Sequence, residues 1–227
     1  MMNKQSIVCQ IIRCKRKSTA LYVKEGGNVV VRAPFFVSNE QIDGFVQSHY
    51  RWILQKQSEQ QNLQQKKERF SVTDQDTLTV LGREYPVVYG NQVHFNGTVF
   101  EIPQIPFSQI KPQVIAEYKR LAKEIITERV HYFSELTGWK AESVKIGSAK
   151  TRWGSCSGTN RLNFTWKLIF SDLNTIDYVV LHELAHTKEH NHSQRFWNLV
   201  AEYMPNYKEI RERLVAVQKK LMQENWD

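Results

Sequence analysis

The chain has 227 residues, 41% of them hydrophobic, and carries a formal net charge of +8. That length can bury a real core without covalent staples. Its three cysteines, Cys9, Cys14 and Cys156, include no C-x-x-C pair, which argues for free thiols in a reducing compartment and against a disulfide framework. No run reaches the roughly 20 apolar residues needed to cross a bilayer, and the opening MMNKQSIVCQIIRCKRK lacks a signal peptide's long apolar stretch and cleavage site, so the expectation is a soluble cytoplasmic protein without membrane contact.

The positive charge gathers at the start. Residues 1–70 hold 12 Lys+Arg against 5 Asp+Glu, with Arg13, Lys15, Arg16 and Lys17 close together. Such a region can contact nucleic acid or another polyanion, and it serves equally well to guard a solvated strand edge.

In chain order, SIVCQII and TALYV read as strands, and GGN at 26–28 turns the chain into VVVRA, predicting a hairpin or short meander. Ser38 with Gln41 forms a capping box for a helix whose apolar face is Ile42, Phe45, Val46, Trp52 and Ile53. The polar run QKQSEQQNLQQKKER is either an exposed helical extension or a linker. Residues 72–102 return to strand character with a turn at Asn96-Gly97, and Pro103, Pro106 and Pro112 punctuate a loop. A long amphipathic helix then runs to Gly138, a strand covers about 142–148, and a hairpin pairs about 151–156 with 161–169. Helices are expected near 175–190, 193–204 and 206–224. The fold class is α+β: a β-rich N-terminal unit with a long helix (1–69), a hairpin connector (70–110), and a domain at 111–227 with a short antiparallel sheet packed on helices.

HELAHTKEHNH, residues 182–192, carries the chemistry. Positions i and i+4 share a helix face, so His182 and His186 can converge on one ion, and Zn²⁺ fits that pair. Glu183 lies about 100° round the helix, where a carboxylate takes a proton from a metal-bound water. Histidine and glutamate in an otherwise apolar helix, with Ile176, Val179, Val180, Leu181 and Leu184 around them, need such a reason. Three residues compete to be the third ligand. His190 lies about 12 Å along the helix from His182 and overshoots. Glu189 is one turn beyond His186. His192 approaches from a different direction if the helix ends near His190 and Asn191 turns the chain in the left-handed conformation, leaving Ser193 to cap the next helix.

RWGSC (152–156), the asparagine of RLNF, DYVVLHELAH (177–186), HNHSQRFW (190–197) and MPNY (204–207) resemble the bacterial YgjP-like metallopeptidases, relatives of the SprT-like proteins. The resemblance extends to VVVRAPFFVS and the Trp52-Ile53 pair. It implies a zincin-type catalytic domain in which His182, His186 and His192 bind the metal and Glu183 is the general base. Glu189 stands where metzincins have glycine, which sets the chain apart from that group.

Around that centre, RLNFTWKL is a candidate edge strand for pairing with an extended substrate. Arg152, Tyr203 and Tyr207 are candidate oxyanion stabilisers, Trp153 and Trp166 read as core, and Cys156 as a small buried hydrophobe. The expected activity is zinc-dependent hydrolysis of a peptide or protein substrate, with Ni²⁺ or Co²⁺ able to substitute. Two alternatives keep the metal site: a nucleotide phosphohydrolase, and a nucleic-acid-associated SprT-like protein using the basic N-terminal region. The sequence sets no oligomeric state.

Overall fold

The computed structural model describes residues 7–226, so Ser6, which opens the first expected strand, lies outside the described residues. Two compact units divide the chain: one runs to Phe70 and takes in Met222–Asn225, and the other is Ser71–Leu221 with Trp226.

The first unit has three strands, β1 (Cys9–Arg13), β2 (Ala20–Val23) and β3 (Val29–Ala33), in the order β1-β3-β2. β3 takes the middle because VVVRA is a nearly continuous apolar run, with Val29, Val30, Val31 and Ala33 all buried. The expected hairpin is β2 with β3, turned through Gly26 and Gly27 at φ of 77° and 79°. β1 joins β3 in parallel, so the sheet is mixed and no meander forms. Helix α1 (Asn39–Ser48) starts at the full Ser38–Gln41 capping box, breaks at His49, and continues as α2 (Tyr50–Arg69); the polar run is therefore helical. Ile42, Val46 and Ile53 pack on Val29, Val31 and Ala33. Arg13 of the basic cluster is spent internally, donating to the carbonyls of Pro34 and Val37 and to Asn39 Oδ1.

The second unit opens with a four-stranded sheet, β4 (Thr77–Val80), β5 (Arg83–Tyr89), β6 (His94–Phe95) and β7 (Phe100–Ile102), ordered β4-β5-β7-β6. Helix α3 (Phe107–Thr137) contains Pro112, which was expected in the preceding loop. So near the start of the helix, proline forfeits a single bond to the Ser108 carbonyl, and the buried stripe of Ile110, Val114, Tyr118, Leu121, Ile126, Val130 and Phe133 outweighs that loss. Gly138, at φ 71°, ends the helix.

β8 (Ser143–Gly147), β9 (Gly154–Cys156) and β10 (Arg161–Thr165) form a sheet ordered β8-β10-β9. This corrects two expectations. The sheet is mixed, because β10 runs parallel to β8 and antiparallel to β9. β10 is also the central strand, with Leu162 and Phe164 each 1% exposed, so the edge beside the later helices belongs to β9. The segment after Thr165 leaves the sheet as a short 3₁₀ turn that buries Trp166, Leu168, Ile169 and Phe170.

Three helices follow: α4 (Leu173–Ala185), capped by the Asp172 side chain on Thr175 N at 2.8 Å; α5 (Gln194–Tyr203), capped by Ser193; and α6 (Tyr207–Leu221). Among the described residues no helix is long and apolar enough to cross a membrane.

A two-pronged pair clamps α4 to α3: Arg129 Nε and Nη2 donate to Asp177 Oδ1 at 2.5 Å and Oδ2 at 3.0 Å. Both side chains are largely buried, and burial pushes the Asp177 carboxyl above its ordinary range while the guanidinium pulls it back. Arg129→Met strands that carboxylate and is expected to cost about 3 kcal/mol at neutral pH. A carboxyl whose folded pKa is raised loses stability as pH climbs from its unfolded value, about 3.9, through the folded one. The deficit should therefore shrink below about pH 4, which urea melts of both proteins at pH 4 and pH 7 would measure.

Candidate metal centre

α4 is buried almost all round, with Ile176, Val180, Leu181 and Leu184 at 0% exposure, and it carries His182 and Glu183 into that interior. The helix stops at Ala185, short of the expected end near His190. The amides of Lys188 and Glu189 both turn back to the Ala185 carbonyl, and His186 Nδ1 lies 3.0 Å from the Glu189 carbonyl. Asn191 does not adopt the left-handed conformation, since among the described residues the positive-φ positions other than glycine are Leu81 and Asn160. Its side chain makes the turn instead: Oδ1 accepts from Ser193 N at 2.9 Å and Nδ2 donates to Glu189 Oε1 at 2.6 Å. An asparagine amide can replace a backbone turn in this way without strain.

The consequence is convergence. His182, His186 and His192 each bring one ring nitrogen into a group whose members all lie within 4.8 Å of one another. His190 is exposed and outside that group, while Glu189 contributes its carbonyl to His186. Phe196 of α5 packs against all three rings, at 4.8, 4.4 and 4.9 Å between centroids. Trp197 stacks on His192 at 5.7 Å and Tyr207 stacks on Trp197 at 5.1 Å, so an aromatic column backs the otherwise exposed third imidazole.

These residues suit a cation. The Glu189 carbonyl can only accept, so His186 holds its proton on Nδ1 and presents the Nε2 lone pair. His182 Nε2 and His192 Nε2 face each other at 3.1 Å, close to the separation of about 3.3 Å between two nitrogens bound tetrahedrally to Zn²⁺. Burial, followed by the neighbouring imidazoles and Arg211, drives His182 down to about 3, so it is neutral and ready to ligate across the physiological range.

Glu183 is 6% exposed, and burial raises its carboxyl to about 7, with the Arg152 cation opposing the shift. Its position depends on Gly154 of β9: a β-carbon there would lie 2.6 Å from Glu183 Cγ and 2.7 Å from Oε1. The glycine leaves the space that the carboxylate fills.

The model of the YgjP-like metallopeptidase domain matches residues 17–216. The chain belongs to the YgjP-like metallopeptidases. It is accordingly a metal-dependent hydrolase of a peptidase family, and a peptide or protein is its substrate class. No curated protein matches the chain. Among solved structures, it is similar to the metallopeptidase zymogen of Pyrococcus abyssi abylysin, with 23% identity over 40% of this chain and 92% of that one, at a TM-score of 0.38. It is also similar to the zymogen of Methanocaldococcus jannaschii jannalysin, with 25% identity over 42% and 94% of the two chains, at a TM-score of 0.34.

In this YgjP-like chain the remaining candidates separate. Arg152 is exposed and its charge reaches Glu183. Tyr207 belongs to the column behind His192, whereas Tyr203 packs edge-on against Trp139 at 5.5 Å. Trp166 is core at 1% exposure, and Trp153 is half-buried. Cys156 is half-buried too, not enclosed as expected, because it sits on the edge strand; burial and then the Glu183 charge keep its thiol raised and protonated.

Two contributors were missed: Gly154, and Arg211 on α6, whose charge acts on His182. Gly154→Ala should displace the Glu183 carboxylate. A misplacement near 1 Å costs up to about a hundredfold in rate, so kcat is expected to fall about tenfold to a hundredfold with metal content unchanged, read from turnover and elemental analysis of the same samples.

Proposed function

We propose that His182, His186 and His192 hold a zinc ion and that Glu183 is the general base of peptide-bond hydrolysis. The observation that carries this reading is the convergence of three imidazole nitrogens within 4.8 Å, with a buried carboxyl on the adjacent residue. When bound, Zn²⁺ supplies Lewis-acid polarisation of the scissile carbonyl and makes water a nucleophile at neutral pH. The same donors also accept Ni²⁺ or Co²⁺.

Glu183 takes the proton of the attacking water and passes it to the leaving amine. Its high affinity for a proton, set by burial, suits both halves of that transfer. Gly154 lets the carboxylate sit against the strand, and the Arg152 guanidinium is the group we assign to stabilising negative charge at the reacting carbonyl. Among the described residues β9 pairs with β10 along one edge only, and its other edge can align an extended substrate. We assign this chemistry to the segment 111–227.

The family favours the peptide bond over the phosphoanhydride of a nucleotide. The test is elemental analysis of the purified protein together with digestion of an unfolded protein by the zinc-loaded enzyme. Zinc bound at about one equivalent and new peptide termini that vanish on chelation are expected. A zinc-loaded sample that leaves peptides intact but hydrolyses nucleoside triphosphates overturns the reading.

A further inference from the structure

A second feature adjoins the metal centre across β9. The face of the β8-β10-β9 sheet opposite Leu162 and Phe164 holds a groove of about 480 Å³. The register sets Lys145, Asn163 and Ser155 abreast on the three strands, and pairs Arg161 with Ser143 one step along. Arg152 lines the same groove where β9 begins. Three cations and several hydroxyls thus surround it, with no carboxylate in its lining.

Two of these charges are not spent on the fold. Among the described residues, the Lys145 and Arg161 side chains make no ion pair or hydrogen bond. Asn163 Oδ1 is buried without a hydrogen-bond partner, an acceptor open to an N–H donor and not to the anion itself. Like charges gathered on one sheet face repel each other, so their collection here calls for an anion.

The sheet says which kind. A peptide lying along the free edge of β9 projects alternate side chains to opposite faces. Those on the Glu183 side face the metal centre beside Gly154; those on the Ser155 side enter the basic groove. The volume suits a side chain with its flanking backbone.

We propose that this groove is a specificity subsite for a substrate carboxylate: it selects peptides bearing Asp or Glu close to the scissile bond, held by Lys145 and Arg161, while Arg152 at its rim serves the reacting carbonyl. This deepens the peptidase reading and rests on it for the identity of the substrate. Arg161 offers the fork that matches a carboxylate, and Lys145 supplies a point charge. Because both are exposed, the selection is modest and salt-sensitive, about fivefold to tenfold at low ionic strength.

The experiment uses peptides identical except for Glu, Gln or Lys at one position. Cleavage is measured with the zinc-loaded enzyme, and binding is measured separately with the zinc-loaded Glu183→Gln protein. The Glu peptide is expected to lead in both, and its advantage to vanish in Lys145→Gln/Arg161→Gln. In Lys145→Glu/Arg161→Glu the Lys peptide should lead instead, an inversion that misfolding cannot produce. Equal binding of the three peptides overturns the subsite while leaving peptide hydrolysis intact. Preferential Glu binding without cleavage keeps the subsite and overturns the catalytic reading. Tight binding of a single-stranded RNA that ignores the Glu peptide and depends on Lys145 and Arg161 overturns the assignment to peptides.

Discussion

Glu183→Gln is expected to lower turnover by about three orders of magnitude while leaving the metal in place. A positioned general base contributes about 10²–10⁴ to such a reaction, and the glutamine amide cannot accept the proton. Steric change is minimal, which matters where Gly154 leaves so little space: Glu183 Oε1 already lies 2.7 Å from where a β-carbon would stand. The three imidazoles do not hydrogen-bond to Glu183, so metal content should match the parent protein. In the metal-free protein the substitution also removes a buried carboxyl whose charged form burial disfavours, so the metal-free variant should be no less stable above neutral pH, where the metal-free parent pays for ionisation. Turnover and zinc content on one preparation, with thermal melts of its metal-free form at pH 8, check all three outcomes. Activity within tenfold of the parent would remove Glu183 from the reaction.

The parts of this site written in local spacing were legible before any coordinates. His182, Glu183 and His186 follow from helical periodicity alone, and an apolar run that must bury two ionisable groups advertises a function. The Ser38–Gln41 box and the Gly138 stop were equally plain, because caps depend on neighbours within one turn. What failed depended on partners distant in sequence. The sheet order β8-β10-β9 turns on a parallel pairing between Ser143–Gly147 and Arg161–Thr165 that skips over β9, and nothing local marks which strand takes the middle. Gly154 reads in isolation as an ordinary strand glycine; its meaning comes from a carboxylate 29 residues later. At Asn191 the residue was right and the device was wrong, since an asparagine can turn a chain through its backbone or through its amide.

That turn leads to the second large effect. His192→Ala should reduce metal affinity by at least about a hundredfold, because loss of a mere outer-shell partner already costs about 10–100-fold and this change removes a donor outright. His182 and His186 share one helical end and approach the centre from one side, whereas His192 comes from the segment between α4 and α5 and faces His182 Nε2 at 3.1 Å. Without it two donors remain, too few for the three-ligand sites that retain zinc at catalytic centres. The fold should survive, since His192 is exposed and Phe196, fully buried beneath it, still anchors α5. His190→Ala is the matched control: that imidazole is exposed, lies two residues away, and stands apart from the converging nitrogens, so its loss should leave zinc content unchanged. Zinc titration of both variants by competition with a chromogenic chelator separates the cases. Equal affinities for His192→Ala and the parent would show that the third donor comes from elsewhere. Glu189 would then be the first candidate, since its carboxylate already lies in the same turn and would need only to release the Asn191 amide.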